Sequence, residues 1–267
     1  MAKIIIFGST GLLGKTLYDK LNQNHTLFCP SRDMFPLENV SILTDLEQYV
    51  YRASPDVIIN CVGVLPGESI KDSPRAYFIN SVFPKFLSLI CKQVNARLLH
   101  FSTNCVFKGE ENKNCWYTHS DIPNEIDVYG RSKALGEVPE QITIRTSFIG
   151  TSNRLNDTGL LEWFLRNKSI EVNGYDVVWN GISTLDISDS IDILMNLQSG
   201  IYHMACDKGI SKYELLTIAK EVFNKDVIIN PAHGGGNAKL LFPDITMSSN
   251  WKEKLIRLKK YKETGEM

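Results

Sequence analysis

The fold is decided by the stretch Lys3-Ile4-Ile5-Ile6-Phe7-Gly8-Ser9-Thr10-Gly11-Leu12-Leu13-Gly14 near the start of the chain. Its residues 4–7 form a continuous apolar run, which is typical of a strand covered on both faces. A strand, a glycine-rich turn and a helix start together form the context of a phosphate-binding fingerprint, although an ordinary glycine-rich connection has the same outline. We expect this turn to bind a dinucleotide through Gly8, Ser9, Thr10, Gly11, Leu12, Leu13 and Gly14.

The ends of the next two predicted strands also bear on the cofactor. The second strand, Thr26 to Cys29, leads into Pro30-Ser31-Arg32-Asp33. An acid at this place selects NAD through a ribose hydroxyl, whereas an arginine accommodates the extra phosphate of NADP. Because Ser31 and Arg32 precede Asp33, the sequence favours NADPH over NADH, and a solvated loop charge is the alternative for Arg32. The third strand ends in Cys61, Val62 and Gly63, which we expect beneath the central ribose of the cofactor.

A long helix is predicted from Phe78 to Val94, with apolar residues at helical spacing. Pro84 lies inside it and removes the hydrogen bond to the carbonyl of Asn80. That carbonyl is therefore expected either to hold a water in a proton relay or to mark a simple kink.

Strands alternate with helices up to a strand at 141–146, which predicts an α/β fold with a doubly wound parallel Rossmann sheet. Residues 1–150 are assigned to a dinucleotide-binding Rossmann domain. Residues 151–267 are assigned mainly to a substrate-binding domain, a small C-terminal lid, with one segment returning to the Rossmann domain. Within this part, Leu160 to Arg166 is predicted to be helical, and Ser211 is expected to cap a helix from Lys212 to Phe223.

The candidate reaction site lies between residues 98 and 137. A buried strand is predicted to end at Ser102-Thr103, and a helix is predicted over residues 128–137, so Tyr129 and Lys133 lie one turn apart on one face. In that arrangement the ammonium of Lys133 would lower the pKa of Tyr129, and Thr103 would bind the substrate oxygen that Tyr129 protonates. Tyrosine and lysine at this spacing also occur by chance about once in such a chain.

Composition excludes several classes of function. The formal net charge is −1, without a long basic run, so neither nucleic acid nor an anionic membrane is an expected partner. No apolar stretch approaches the ~20 residues of a membrane span, and a strand begins at Lys3 without a signal peptide, so a cytoplasmic location is expected. The 6 cysteines form no C-x-x-C pair and are expected to be reduced packing residues, and no metal site is predicted. The Lys-rich segment 252–262 is expected to be a solvated helix face.

These motifs resemble the extended short-chain dehydrogenase/reductases, and within them the dTDP-4-dehydrorhamnose reductase group. The family's G-x-x-G-x-x-G falls on residues 8–14, its Ser-Thr-Asp-x-Val-Phe on 102–107, and its Tyr-Gly-x-Ser-Lys-x-x-Gly-Glu on 129–137. The resemblance implies hydride transfer from NADPH or NADH to the 4-keto group of a nucleotide-activated 6-deoxysugar, in surface polysaccharide or glycoside precursor synthesis. Tyr129 and Lys133 would also bind the cofactor. The candidate catalytic residues are Thr103, Tyr129 and Lys133, with Asn80 added through its freed carbonyl, and the candidate substrate contacts are Asn104, Cys105, Val106 and Thr146.

Departures from the family pattern keep alternatives open. Asn104-Cys105 replaces Asp-Tyr, and the Asp-Glu pair of related dehydratases is missing, so dehydration is not expected. Cys105 stands where related GDP-fucose synthases carry an epimerising cysteine, but the segment from Thr158 to Glu162 offers no partner histidine. Thr16 stands where the rhamnose enzyme has the glutamate of its metal-linked dimer, so a homodimer would lack that metal. The alternatives to a reductase are an epimerase or epimerase-reductase using Cys105, and a non-catalytic NADP-binding regulatory subunit.

Overall fold

The computed structural model describes residues 1–37, 41–110, 114–152 and 159–267. Its strands are β1 (Lys3–Phe7), β2 (Thr26–Phe28), β3 (Val57–Asn60), β4 (Arg97–Phe101), β5 (Asn114–Tyr117), β6 (Ile142–Arg145), β7 (Phe148–Ile149), β8 (Glu171–Tyr175), β9 (Val178–Trp179), β10 (Ile182–Ser183), β11 (Gly200–Cys206), β12 (Ile210–Ser211), β13 (Ile228–Ala232), β14 (Ala238–Leu241) and β15 (Ile245–Met247). Its α-helices are α1 (Leu12–Leu21), α2 (Ile42–Ala53), α3 (Pro66–Lys71), α4 (Ser73–Tyr77), α5 (Phe83–Val94), α6 (Val128–Leu135), α7 (Leu160–Arg166), α8 (Thr184–Met195), α9 (Lys212–Phe223) and α10 (Trp251–Thr264). A π-helical turn covers Phe78–Val82, and a 3₁₀ turn covers Asn104–Val106.

One 7-stranded sheet organises the fold, in the order β15-β11-β6-β4-β3-β1-β2. The neighbouring strands from β2 to β6 run parallel, as do β11 and β15. The strands β1, β3, β4 and β6 are buried along nearly their whole length, because both faces of a parallel sheet are covered. The predicted α/β class with a parallel Rossmann-type sheet is confirmed. The strand order reverses at β1, between β2 and β3, and in such sheets ligands bind at the carboxyl ends of the strands beside that point.

The chain forms two compact units that alternate along the sequence. The first unit comprises Met1–Phe107, Ile122–Arg145 and Ser188–Tyr202, and the second comprises Lys108–Asp121, Thr146–Ile187 and His203–Met267. A single boundary at residue 150 does not separate these units, because the chain enters the second unit at Lys108 and returns to the first at Ser188. The assignment of cofactor and substrate binding to separate domains stays a prediction.

The second unit is built from helices and two-stranded sheets that join distant parts of the chain, such as β8 with β13 and β5 with β14. The helix α9 begins as predicted, with Ser211 and Glu214 forming a capping box. The expectation of a solvated face on α10 is wrong at one position. Lys254 is buried and donates to the carboxylate of Asp186 at 2.5 Å, so this cation belongs to the interior of the unit.

The predicted helix bounds hold in some places and fail in others. The helix α7 covers Leu160–Arg166 as predicted, whereas the helix predicted from Phe78 to Val94 is divided into a π-helical turn, Phe78–Val82, and α5, Phe83–Val94. Among the residues with described coordinates, no helix combines the length and the apolar character needed to cross a membrane.

Candidate active site

The glycine-rich turn closes tightly between β1 and α1. Gly8 adopts φ +80°, a left-handed conformation that favours glycine, and its carbonyl accepts the N–H of Gly11 at 2.9 Å. A Cβ atom at Gly14 would overlap the Gly8 carbonyl oxygen and lie 2.9 Å from the Ser9 Cα. A Cβ atom at Gly8 would lie 3.1 Å from the carbonyl carbon of Cys61, so the end of β3 packs directly on this turn.

The N-terminus of α1 is open to an anion. Its cap residue is Gly11, which has no side chain to satisfy the first N–H groups of the helix, and its first turn has no acidic residue. Free backbone N–H groups and the positive end of the helix dipole favour a phosphate at this position. The turn therefore fits the pyrophosphate of a dinucleotide, and the binding role expected of residues 8–14 stays a prediction.

The end of β2 presents a thiol to the glycine-rich turn. Cys29 follows directly after β2, and its side chain is hydrogen-bonded to Ser9. Burial raises the pKa of Cys29, an effect that the hydrogen bond from Ser9 opposes, so this side chain is neutral at neutral pH. Ser31 and Arg32 are exposed in the following turn, where the Ser31 hydroxyl accepts the N–H of Met34 at 3.2 Å. The sequence reasoning considered residues 31–33 and missed Cys29, whose signal was its place at the end of the strand.

The end of β3 is held by a buried polar pair. The side chain of Asn60 contacts Nδ1 of His100 at 3.2 Å and accepts the N–H of Val62 at 3.1 Å. These bonds fix the segment from Cys61 to Gly63 beside the glycine-rich turn. Burial raises the pKa of Cys61 to about 12, with the charge of Lys133 opposing this, so Cys61 is a neutral thiol.

Asn80 lies in a π-helical turn rather than in the regular helix predicted for 78–94. The N–H of Phe83 bonds to the carbonyl of Phe78, five residues back, and Pro84 falls in the first turn of α5, where its missing N–H costs little. The Asn80 side chain bonds both polar backbone groups of Val64, at 2.8 and 3.1 Å, and the hydroxyl of Ser132 at 3.0 Å. Its backbone carbonyl lies against Gly136, where a Cβ atom would overlap the oxygen.

The structure brings Thr103, Cys105 and Tyr129 together. Thr103 caps the 3₁₀ turn by accepting the N–H of Cys105 at 3.1 Å, and it is hydrogen-bonded to Tyr129. Gly130 permits this approach, because a Cβ atom there would overlap the carbonyl oxygen of Cys105. The N–H of Gly130 is held in turn by Asp127, which caps α6 with a 2.6 Å hydrogen bond.

The expected effect of Lys133 on Tyr129 is not seen. Burial raises the pKa of Tyr129 and Cys105 adds to the rise, while the hydrogen bond from Thr103 lowers it. The ammonium of Lys133 instead donates to the carbonyl of Phe101 at 2.6 Å. Burial lowers the pKa of Lys133 to about 8, and the charge of Glu137 opposes the fall. The phenol of Tyr129 is thus protonated at neutral pH, and Lys133 is close to its titration midpoint.

The predicted substrate contacts occupy different environments. Asn104 and Val106 are buried, and Cys105 is half-buried beside Tyr129. Thr146 belongs to the second unit, where its buried hydroxyl already donates to the carbonyl of Met204 at 2.8 Å. Thr158, the first residue of the segment searched for a partner histidine, lies outside the described residues.

The family model described as RmlD substrate binding domain matches residues 2–234. The chain belongs to this family. Within it the chain is an extended short-chain dehydrogenase/reductase of the dTDP-4-dehydrorhamnose reductase-like group, as the motifs indicated. The two glycines that permit close approach, Gly130 inside α6 and Gly136 just after it, both fall within the family motif at residues 129–137.

Relatives of this RmlD-type chain include an enzyme and a subunit of another protein. A dTDP-4-dehydrorhamnose reductase of Mycolicibacterium smegmatis is 29% identical over 155 residues, which are 55% of this chain and 46% of that protein. The methionine adenosyltransferase 2 subunit beta of Bos taurus is 25% identical over 248 residues, which are 83% of this chain and 72% of that protein. The crystal structure of a Bacillus anthracis dTDP-4-dehydrorhamnose reductase in complex with NADP superposes with a TM-score of 0.85 and 22% identity, covering 99% of this chain and 100% of that one.

Proposed function

We propose that this chain is a cytoplasmic, NADPH-dependent reductase of the 4-keto group of a nucleotide-activated 6-deoxysugar, acting in the synthesis of surface polysaccharide or glycoside precursors. The observation that carries the proposal is the hydrogen-bonded pair of Thr103 and Tyr129 beside Lys133, at the end of β4. The reductase name of the mycobacterial relative supports the same reaction. The second unit would bind the sugar nucleotide as a lid, and a homodimer would form without a bridging metal.

The residues around the reversal of strand order fit a dinucleotide. Residues 8–14 would hold its pyrophosphate, because the N-terminus of α1 is open and a side chain at Gly14 would fill the turn. The segment from Cys61 to Gly63 would line its central ribose, and Lys133 the nicotinamide ribose. When bound, NADPH supplies the hydride that the reaction requires. The NADP complex of the Bacillus anthracis protein supports this cofactor class.

The preference for NADPH over NADH rests on the side chains at the end of β2. Cys29 is a neutral side chain in contact with Ser9 of the turn, at the strand end where NAD-binding proteins place an acid. Arg32 follows three residues later and provides a positive charge for a 2′-phosphate, with the Ser31 hydroxyl beside it.

The chain's own groups then perform the proton transfer. The phenol of Tyr129 holds its proton at neutral pH, since burial raises its pKa, and it would donate this proton to the ketone oxygen. The Thr103 hydroxyl orients the phenol through their hydrogen bond and can bind the same oxygen. The Lys133 ammonium, held by the Phe101 carbonyl two residues before Thr103, would provide a positive charge at this strand end. The Asn80 side chain holds α6 through Ser132, and so fixes the helix that carries Tyr129 and Lys133.

The test is loss of NADPH absorbance when a panel of 4-keto nucleotide sugars is offered. We expect turnover with at least one sugar, and Tyr129→Phe should lower it by about 100-fold or more while cofactor binding is kept, because a positioned acid is removed. Near-normal turnover of Tyr129→Phe, with any sugar that the wild type reduces, would remove Tyr129 from the mechanism.

A second candidate is a non-catalytic, NADP-binding regulatory subunit. It is favoured by the likeness to a protein named as a subunit of methionine adenosyltransferase 2, which extends over 83% of this chain. Against it stands the assembled set of Thr103, Tyr129 and Lys133, which a regulatory role does not require. NADPH binding without turnover of any sugar in the panel would favour the subunit.

A further inference from the structure

A buried carboxylate lies directly behind the proposed reaction site. Glu137 follows the C-terminal end of α6 and is 6% exposed. One carboxylate oxygen accepts from the Ser102 hydroxyl and from Nε of Arg145, both at 2.8 Å. The other accepts from Nη2 of Arg145 at 2.7 Å, so the guanidinium is bound in a two-point pair.

These bonds join the elements that carry the reacting groups. Ser102 stands between Phe101, whose carbonyl holds the Lys133 ammonium, and Thr103, whose hydroxyl bonds Tyr129. Glu137 comes four residues after Lys133 on the same segment. The carboxylate therefore fixes the end of β4 on the end of α6, close to both polar groups of the site.

Glu137 also affects the protonation of Lys133 through its negative charge. The ammonium is faced by the Cys61 thiol, which follows β3, and by His100 from β4. Lys85 from α5 acts on the same imidazole and donates to the backbone carbonyl of Glu137. Cys61 is a neutral thiol, and burial lowers the pKa of His100, as do Lys133 and Lys85, so the imidazole is also neutral. Among these described groups Glu137 supplies the negative charge, and it opposes the fall that burial causes in the pKa of Lys133.

A stabilising role explains this pair poorly. Replacing a buried ion pair by apolar residues of similar volume is often neutral or stabilising, because two charges must be taken out of water. Arg145 is 2% exposed, so its charge is desolvated in full to meet Glu137. Stability alone therefore does not require the two charges, and the bond from Ser102 connects the pair to the end of β4.

We propose that Glu137 is a positioning residue for the reductase site, which holds the end of β4 against α6 through Ser102 and Arg145 and keeps the Lys133 ammonium charged beside Thr103 and Tyr129. The catalytic part of this proposal rests on the proposed reductase function. The link between Glu137 and Lys133 can be measured without turnover.

The test follows the protonation of Lys133 by nuclear magnetic resonance of the folded full chain with 13C-labelled lysine, its signal assigned by loss in Lys133→Arg. In the wild type we expect a midpoint near the value of about 8 that burial and Glu137 set together. In Glu137→Gln we expect the midpoint to fall by about one pH unit, as loss of a nearby opposite charge should cause.

The matched control is Glu162→Gln in the second unit. Glu162 is also fully buried and paired, accepting from Lys262 at 2.5 Å and from the Ser152 N–H at 2.7 Å. Its replacement should destabilise the protein without moving the Lys133 midpoint. An unchanged midpoint in Glu137→Gln, or equal shifts in both variants, would overturn the proposal.

If Glu137→Gln does not fold, the double change Glu137→Gln with Arg145→Met removes both charges together and leaves neither partner uncompensated. Its Lys133 midpoint is also expected to fall, and a wild-type midpoint there would overturn the proposal. Because the measurement reads Lys133 directly, the midpoint shift can stand even if no sugar in the panel is reduced.

Discussion

Alanine at Gly136 is expected to displace the helix that carries Tyr129 and Lys133. Gly136 adopts φ −85° and ψ −7°, a helical conformation that any residue can take, so its backbone alone does not require glycine. The requirement is steric. A Cβ atom there would overlap the Asn80 carbonyl oxygen and lie 3.0 Å from both the Asn80 carbonyl carbon and Cγ of Pro84.

The magnitude follows from two opposing effects. Replacing a helical glycine by alanine stabilises by roughly 0.5–1 kcal/mol through lower chain entropy. Overpacking a tight contact costs about 1–3 kcal/mol, and the upper part of that range applies because the obstacle is backbone in a π-helical turn and cannot rotate away. The net loss should be about 2 kcal/mol, which corresponds to a fall in Tm of about 4–8 °C.

Gly67 provides the matched control, because it is also helical and a Cβ atom there meets nothing within 4 Å. Thermal unfolding of Gly67→Ala should match or exceed that of the wild type, whereas Gly136→Ala should melt earlier. Turnover should fall in Gly136→Ala at a temperature where it is fully folded, since α6 must move away from Asn80. Equal stability of the two variants would refute the steric reasoning.

The remaining predictions concern the cofactor, the thiol at the site and the pH dependence. Arg32→Ala should weaken NADPH binding by about 1–3 kcal/mol and leave NADH binding nearly unchanged, because a charged contact to the 2′-phosphate is lost. Cys29→Asp should reverse the cofactor preference, since an acid then faces the 2′-phosphate. Titration of both cofactors measures these changes, and equal losses of NADPH and NADH binding would contradict the prediction. Cys105→Ser should keep most activity, and reduction in heavy water should place no deuterium on the carbons flanking the ketone, because the described residues show no histidine paired with Cys105. Mass spectrometry of the product reads this out, and deuterium that vanishes in the variant would indicate an epimerase-reductase. Turnover should fall as pH rises through about 8, because the lowered pKa of Lys133 leaves its ammonium charged below this pH and neutral above it. A turnover rate that stays constant up to pH 10 would contradict this prediction.

Sequence reasoning succeeded where structure is determined locally. The strand, turn and helix start over residues 3–14 appear as predicted, since apolar burial and glycine spacing act within a few residues. The same holds for α7 and for the cap of α9 at Ser211. In these segments periodicity and capping chemistry agree with the tertiary structure, which is the condition for local rules to succeed.

Contacts between distant residues were not predictable in this way. The pairing of β5 with β14 joins residues more than a hundred positions apart, and nothing in either strand specifies the other. The same is true of Lys254, which looks like a solvated helix charge until Asp186 is found beside it. The π-helical turn at Phe78–Val82 also escaped prediction, because apolar spacing there is compatible with a regular helix and only Pro84 signals a change.

The position of helix α6 could not be predicted from local sequence rules. Its buried residues are Gly130, Ser132 and Lys133, so it has no apolar face by which periodicity could place it. Instead it is held by polar bonds from Asn80 and Asp127 and by close approach of two backbone carbonyls to its glycines. Each of these features is poor for a helix taken alone, since glycine and buried polar groups cost stability. Together they hold Tyr129 and Lys133 against the end of β4, where the proposed reductase site places its proton donor and its lysine ammonium.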